Sequence, residues 1–172
     1  MKFVVETPRF IVREHLIEDA ADLYRLNSDP EVIRYTGDPP FASIADAERV
    51  IRDRMFVQCE RYGMSRWAVL DKRDRTYVGW CGLKFLEDER EVDLGYRFAR
   101  AHWGRGIATE TARASLDHGF ATLGLERIVA HAMTANTASI RVLEKVGMRR
   151  IGEIVMEGEP AFRFEVLKDE PR

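Results

Sequence analysis

A chain of 172 residues, 45% of them hydrophobic, has the size of one domain and can bury a substantial core without disulfides or metal. Its formal charge of −2 gives no broad basic surface, so nucleic acid is not an expected partner and a small or peptide substrate fits better. Cys59 and Cys81 form no Cys-x-x-Cys pair and have no nearby His cluster at zinc spacing; they read as two buried thiols in a reducing cytosol, with no metal expected.

At the start, Met1-Lys2-Phe3-Val4-Val5-Glu6 meets a charge and then Pro8 before a signal-peptide core can develop. No apolar run approaches the length that spans a bilayer, so a cytoplasmic protein without a membrane partner is expected. Phe10 to Arg13 reads as a short strand and Asp19 to Leu26 as a helix. Asp29-Pro30-Glu31 then supplies a cap, a proline suited to the first helical position and a first-turn acid, which starts another short helix.

After the loop Gly37-Asp38-Pro39-Pro40-Phe41, Ser43 and Asp46 have capping-box spacing. Ile44, Ala47, Ile51, Met55 and Tyr62 then recur at helical intervals, predicting a long amphipathic helix whose arginines Arg49, Arg52 and Arg54 form a solvated face. Trp67 to Leu70, Tyr77 to Leu86 and Glu91 to Phe98 read as three antiparallel strands joined by charged turns. The third alternates, with Val92, Leu94, Tyr96 and Phe98 on one face and Glu91, Asp93, Gly95 and Arg97 on the other, so one face is core and the other can meet a ligand.

A Gly-rich turn follows, then a helix with the stripe Ala108, Ala112, Leu116, Phe120 and Leu123, ending near Gly124. Arg127 to Met133 is a strand reached by a strand-helix-strand crossover. Asn136 or Thr137 caps a helix that runs to Val146, where Gly147 is a left-handed stop. Ile151 to Met156 and Phe162 to Leu167 complete a mixed α/β (α+β) fold.

Gly104 and Gly106 flank Arg105 between a strand and a helix start, where backbone amides can point outward to cradle anionic oxygens. A Rossmann fingerprint needs Gly or Ala where Thr109 stands, and no P-loop Gly-Lys-Ser/Thr ending is present. Alone, Gly-x-Gly is equally an ordinary tight turn.

Its context is more specific. Gly95-Tyr96-Arg97-Phe98, then Trp103-Gly104-Arg105-Gly106-Ile107-Ala108-Thr109-Glu110, then Asn136-Thr137-Ala138-Ser139 and Glu144-Lys145-Val146-Gly147-Met148 resemble the GNAT superfamily of N-acetyltransferases. Together with Asn27-Ser28-Asp29-Pro30-Glu31-Val32-Ile33-Arg34-Tyr35, the chain is similar to the RimJ/RimL-like branch, which acetylates ribosomal-protein N-termini. The resemblance implies a GNAT fold, with a central, mixed, splayed sheet of about seven strands flanked by about four helices. It implies acetyl-CoA as cosubstrate, with its pyrophosphate on the Gly-rich turn. The cofactor-binding candidates are Tyr96, Phe98, Gly104, Arg105, Gly106, Ile107, Ala108, Thr109 and Asn136.

Two departures matter. The family's Gln or Arg three positions before the first glycine is Ala101 here, which removes a side-chain contribution. Where many members carry a tyrosine that protonates the leaving thiolate, this chain has Leu143. Ser139, one turn earlier and expected on the same helical face, can donate to the CoA sulfur or merely cap backbone. Asn136 is a cofactor contact, a helix cap or both. Asp93 aligns with an acidic residue of the family: it could orient a water or hold the ammonium, with burial raising its basicity, or it could form an ion pair with Arg97 or another cation. His131 and His118 read as structural or surface groups, and Trp67, Trp80 and Trp103 as packing groups or, alternatively, as walls of a cleft.

The expected reaction is direct attack of a neutral primary amine on the acetyl thioester. Neutralising an α-amine of pKa about 7.7 to 8.0 at pH 7 costs about 1 kcal/mol, against about 4.6 kcal/mol for a lysine near 10.4. This favours a protein or peptide N-terminal α-amine as acceptor, with polyamines, antibiotics and an inactive acyl-CoA-binding sensor as alternatives. The oligomeric state stays open, a dimer included.

Overall fold

The computed structural model describes residues 3–169, so Met1 and Lys2 of the leader reading lie outside the described residues. Eight strands form one sheet: β1 (Phe3–Glu6), β2 (Phe10–Arg13), β3 (Arg66–Asp71), β4 (Tyr77–Leu86), β5 (Glu91–Phe98), β6 (Arg127–Met133), β7 (Arg149–Met156) and β8 (Glu159–Leu167). Their order is β1-β2-β3-β4-β5-β6-β8-β7. The additional strand is β1, whose Phe-Val-Val-Glu run pairs antiparallel with β2 at the sheet edge.

Neighbours pair antiparallel except β5 and β6, which are parallel and therefore need a crossover. Helix α5 (Ile107–Ala121) makes it, burying Ile107, Ala112, Leu116 and Phe120 against the sheet with α6 (Thr137–Lys145) beside it. This face carries the main core, including Trp67, Leu83, Val92, Leu94, Ile128 and Phe164. Trp67 is thus a packing group, with His118 edge-on at 5.4 Å between ring centroids.

The opposite face of the β2–β4 half is covered by α1 (Ala20–Ser28), α2 (Pro30–Ile33) and α3 (Ile44–Val50), which build a second cluster around Leu23, Leu26, Ala47, Ile51 and Met55. Asp29 caps α2 through the Glu31 amide at 3.0 Å, and the Ser43/Asp46 capping box starts α3. The long helix read from the sequence is continuous through a π-helical stretch, Ile51–Phe56, into α4 (Val57–Tyr62), which Gly63 stops at φ +68°. Ile44 is 45% exposed, so the buried stripe begins at Ala47. Cys59 and Cys81 form no disulfide.

Beneath this second layer lies a polar cluster. Arg13 clamps Asp19 with two hydrogen bonds, 2.6 and 2.7 Å. His15 donates from Nδ1 to the Arg66 carbonyl at 2.9 Å, and in the neutral ring its Nε2 accepts from the Tyr77 hydroxyl at 3.1 Å. Burial lowers the His15 pKa to about 4, although the Asp19 charge opposes the shift. The folded value lies below the unfolded one of about 6.5, so the native state binds fewer protons between the two. Stability is complete above about pH 6.5 and is lost as pH falls toward about 4, by on the order of 3 kcal/mol. Urea unfolding at a series of pH values should give a parent-minus-His15→Gln difference that shrinks across this window; a pH-independent difference would contradict the assignment.

Candidate active site

Past the pair Asp93–Val129, no further register pair joins β5 to β6. The strands part there, and a cleft of about 630 Å3 opens between β5, α2, the Gly-rich turn and α6. Its walls include Tyr96 and Phe98 of β5, Gly104, Gly106, Ile107, Ala108 and Thr109 of the turn and α5, and Asn136 and Ser139 at the head of α6. Of the cofactor candidates, Arg105 alone does not line it.

Arg105 has a different task. Its carbonyl accepts from Arg9 Nη1 at 2.8 Å, and among the described residues no peptide bond is cis. In a trans peptide the following N–H points opposite to the carbonyl, so anchoring this carbonyl turns the Gly106 amide the other way. Arg9 is itself held by Glu110, with Nε to Oε2 at 2.7 Å, while the Thr7 hydroxyl donates to Glu110 Oε1 at 2.7 Å. Burial pushes the Glu110 carboxyl up, but these donors outweigh it and hold it below its ordinary value. The β1–β2 turn thus braces the glycine turn.

Gly104 and Gly106 sit at φ +74° and +73°, and a side-chain carbon on Gly104 would meet nothing within 4 Å. Glycine is required here for backbone conformation and for close approach. Gly106 is the N-cap of α5, and no side chain caps that end. The first amides of a helix have no partner within it, so those of α5 face the cleft, where a helix N-terminus favours anions. Arg34, Arg141 and Lys145 also line the cleft and add positive charge.

At the other wall, the Tyr96 hydroxyl lies 2.9 Å from Ser139 Oγ and 3.1 Å from the Ser139 carbonyl. Burial pushes the phenol well above its ordinary pKa, so Tyr96 stays protonated as a donor. Asn136 Oδ1 accepts from the Ser139 amide at 3.1 Å, capping α6 while lining the cleft, so its two readings coexist. Leu143 is buried in the main core, and it is Val142, three residues from Ser139, that shares the cleft wall.

Asp93 lies on the face opposite Tyr96, as the alternation predicts, but its environment corrects the sequence reading. It is buried, and its ion-pair partner is Arg66 of β3 rather than Arg97, so the ion-pair alternative holds with another cation while the raised basicity does not. Arg66 reaches it across β4, donating from Nη1 to the carbonyls of Gly82 and Asp93, each at 2.7 Å. It passes where a side-chain carbon on Gly95 would stand 2.6 Å from its guanidinium carbon. His131 Nδ1 lies 3.3 Å from the other carboxylate oxygen. Burial pushes the Asp93 pKa up, but the Arg66 charge and the bonds from His131 and Arg66 outweigh it and hold it below its ordinary value. Its basicity is lowered, not raised.

Arg97 instead pairs with Asp38 at 2.6 Å and with Asn27, and stacks 5.2 Å from the Trp80 ring. Trp103 is 49% exposed and lines the cleft, its Nε1 donating to the Phe98 carbonyl at 2.7 Å. Ala101 is exposed in the short turn Arg100–His102. The sequence reading missed the Thr7–Arg9–Glu110 brace and the His131–Asp93 contact, because both join residues far apart in the chain.

The fold agrees with the comparisons to known proteins. The family model "Acetyltransferase (GNAT) domain" matches residues 9–149. The uncharacterized N-acetyltransferase p20 of Bacillus licheniformis is 32% identical over 172 residues, 95% of this chain and 96% of that protein. A crystal structure of a GNAT-family acetyltransferase from Bacillus anthracis superposes with a TM-score of 0.84 at 26% identity, covering 98% and 99% of the two chains. The spermidine N-acetyltransferase of Vibrio cholerae, solved with CoA and spermine, gives a TM-score of 0.80 at 20% identity over 92% and 95% of the chains. The chain belongs to the GNAT family of N-acetyltransferases, which use acetyl-CoA. Among the described residues, no His, Cys, Asp or Glu group could hold a metal ion, and no helix is long and apolar enough to cross a membrane.

A β-branched side chain at Gly106 would meet the positive φ with a strain of about 1–3 kcal/mol and obstruct the approach to the α5 amides. We expect Gly106→Val to weaken acetyl-CoA binding at least about tenfold by calorimetry, with far-ultraviolet circular dichroism retained. Parental affinity would remove the turn from the cofactor site.

Proposed function

We propose that this enzyme transfers the acetyl group of acetyl-CoA to the N-terminal α-amine of a protein or peptide, by direct attack in a ternary complex. The reading is carried by the juxtaposition, across one cleft, of the uncapped α5 terminus and the Tyr96–Ser139 hydroxyl pair. Pyrophosphate on the amides of Gly106, Ile107, Ala108 and Thr109 would run the pantetheine arm along Tyr96 and Phe98 into the gap between β5 and β6. Asn136 would hold the head of α6 against that arm. Backbone amides of β5 beyond the Asp93–Val129 pair are free of β6 and can polarise the acetyl carbonyl.

Ser139 is the proposed proton donor to the leaving sulfur. The single Tyr96 hydrogen can go to the Ser139 carbonyl at 3.1 Å or to Oγ at 2.9 Å; in the second arrangement the serine hydrogen is free to turn toward the thiolate, and the pair would supply the function for which Leu143 has no hydroxyl. Asp93, locked between Arg66 and His131, acts as an orienting group rather than as the proton acceptor.

Paired carboxylates favour a peptide acceptor over a polyamine. On the face away from Tyr96, Asp93 is bound to Arg66, Asp38 to Arg97, and Glu91 to Arg127 and Arg163. On that face a polycation would have to displace these arginines to find an anionic partner; Glu31 of α2, 3.7 Å from Arg34, is the carboxylate of the cleft wall. The RimJ/RimL-like sequence pattern and the smaller cost of neutralising an α-amine point the same way. A polyamine is the competing acceptor, in view of the spermidine-acetylating protein of similar fold.

Release of free CoA, measured with acetyl-CoA and either peptides bearing free or blocked α-amines or spermidine, tests the reading. We expect kcat/KM at least about tenfold higher for free-α-amine peptides, and Ser139→Ala to lower kcat by about 10²- to 10⁴-fold with acetyl-CoA affinity retained. Turnover of spermidine with inert peptides would replace the acceptor class. An unchanged kcat in the serine variant would leave Ser139 a structural role at the α6 cap.

A further inference from the structure

Beyond the family's acyl transfer, the cleft needs a group that takes a proton from the incoming ammonium, and no residue read from the sequence fills that role. Asp93 is excluded by its own partners: Arg66 occupies one carboxylate oxygen and His131 the other. The ring that makes the second contact does not line the cleft of Tyr96 and Ser139; it stands on the other face of the sheet, beside Asp93. His131 stands on β6 two residues beyond Val129, on the diverging arm. It shares a face with Asp93 because Asp93 and Val129 are in register and side chains alternate.

The carboxylate can only accept, so Asp93, 3.3 Å from Nδ1, favours the tautomer with its hydrogen on Nδ1, which in the neutral ring leaves the lone pair on Nε2. Nε2 lies on the far side of the ring from Asp93, and the side chain keeps 19% exposure. Arg163 of β8 is the register partner of His131, and is held by Glu91 of β5, which also binds Arg127; Glu165 pairs with Arg127 and Arg149. The charges facing His131 from β5 and β8 are therefore engaged with one another, and Asp93 is the carboxylate that holds the ring.

Resting on the acetyl-transfer reading above, we propose that His131 is the general base of the reaction and that Asp93, fixed by Arg66, is its positioning residue. His131 Nε2 takes one proton from the ammonium and passes it to water. The freed nitrogen pair forms the C–N bond at the acetyl carbon, and the C–S bond then breaks. The sulfur gains a proton from the Ser139 hydroxyl, which is restored through Tyr96 and water as the nitrogen gives up its second proton. The products are the amide, CoA thiol and one proton released. Base and acid stand on opposite faces of the sheet, with the thioester between them: His131 shares the Asp93 face, whereas Ser139 meets Tyr96 on the other.

The test measures kcat/KM against pH for the parent, His131→Gln and His131→Ala, with acetyl-CoA affinity by calorimetry for each. We expect both variants to lose about 10²- to 10⁴-fold at neutral pH with affinity within about twofold of the parent. The deficit should narrow as rising pH supplies neutral amine, and added imidazole should restore part of the activity of His131→Ala. A parental profile in His131→Gln, or a loss that neither pH nor imidazole relieves, would overturn the assignment while leaving acetyl transfer intact. A parent without amine-dependent CoA release overturns both readings.

Discussion

The site depends on one break in an otherwise continuous sheet. Strands β5 and β6 run parallel and meet at a single register pair, Asp93 with Val129. Parallel strands cannot be joined by a hairpin, so the chain leaves β5, turns through its glycines, descends as α5 and returns as β6. The connection that permits the parallel pair also brings an uncapped helix terminus to the mouth of the gap. Phosphate-binding amides and an opening for an acyl arm are thus two outcomes of one topological choice.

Polar groups brace this opening at three places. The Thr7–Arg9–Glu110 cluster fixes the Arg105 carbonyl and with it the direction of the next amide. Arg66 crosses β4 to Asp93 at the point of divergence, passing over Gly95, where a side chain would block it. Asn136 ties the head of α6 to the Ser139 amide, placing the serine oxygen against Tyr96. Each interaction uses a buried or half-buried charge or amide that would be costly unpaired, so the cleft walls are held before any ligand arrives.

Much of this was legible in the sequence because it is local. Caps at Asp29, Ser43 and Asn136, the stop at Gly147, and the alternation along Val92 to Phe98 all act over a few residues. The glycine turn could be placed before a helix for the same reason. What escaped was tertiary. β1 is four residues long and acquires meaning only from its pairing with β2. Asp93 had Arg97 as its nearest cation in sequence on its own face, yet its partner comes from two strands away. His131 sits in an apolar run, and only the register of β6 against β5 reveals what it touches. Ser139 and Leu143 were expected to share a face, but the cleft meets α6 along Ser139 and Val142 and leaves Leu143 in the core.

The account's central claim is that the thioester passes through the gap between β5 and β6, with departing sulfur and incoming amine on opposite faces. A crystal structure with a bisubstrate analogue, a peptide α-amine joined to CoA through an acetyl bridge, tests this most directly. The account predicts the pyrophosphate on the amides of the Gly104–Thr109 turn, the sulfur within hydrogen-bond reach of Ser139 Oγ, and the peptide nitrogen on the face of Asp93 and His131. A sulfur remote from Ser139, or a peptide nitrogen entering on the face of Tyr96, would contradict it.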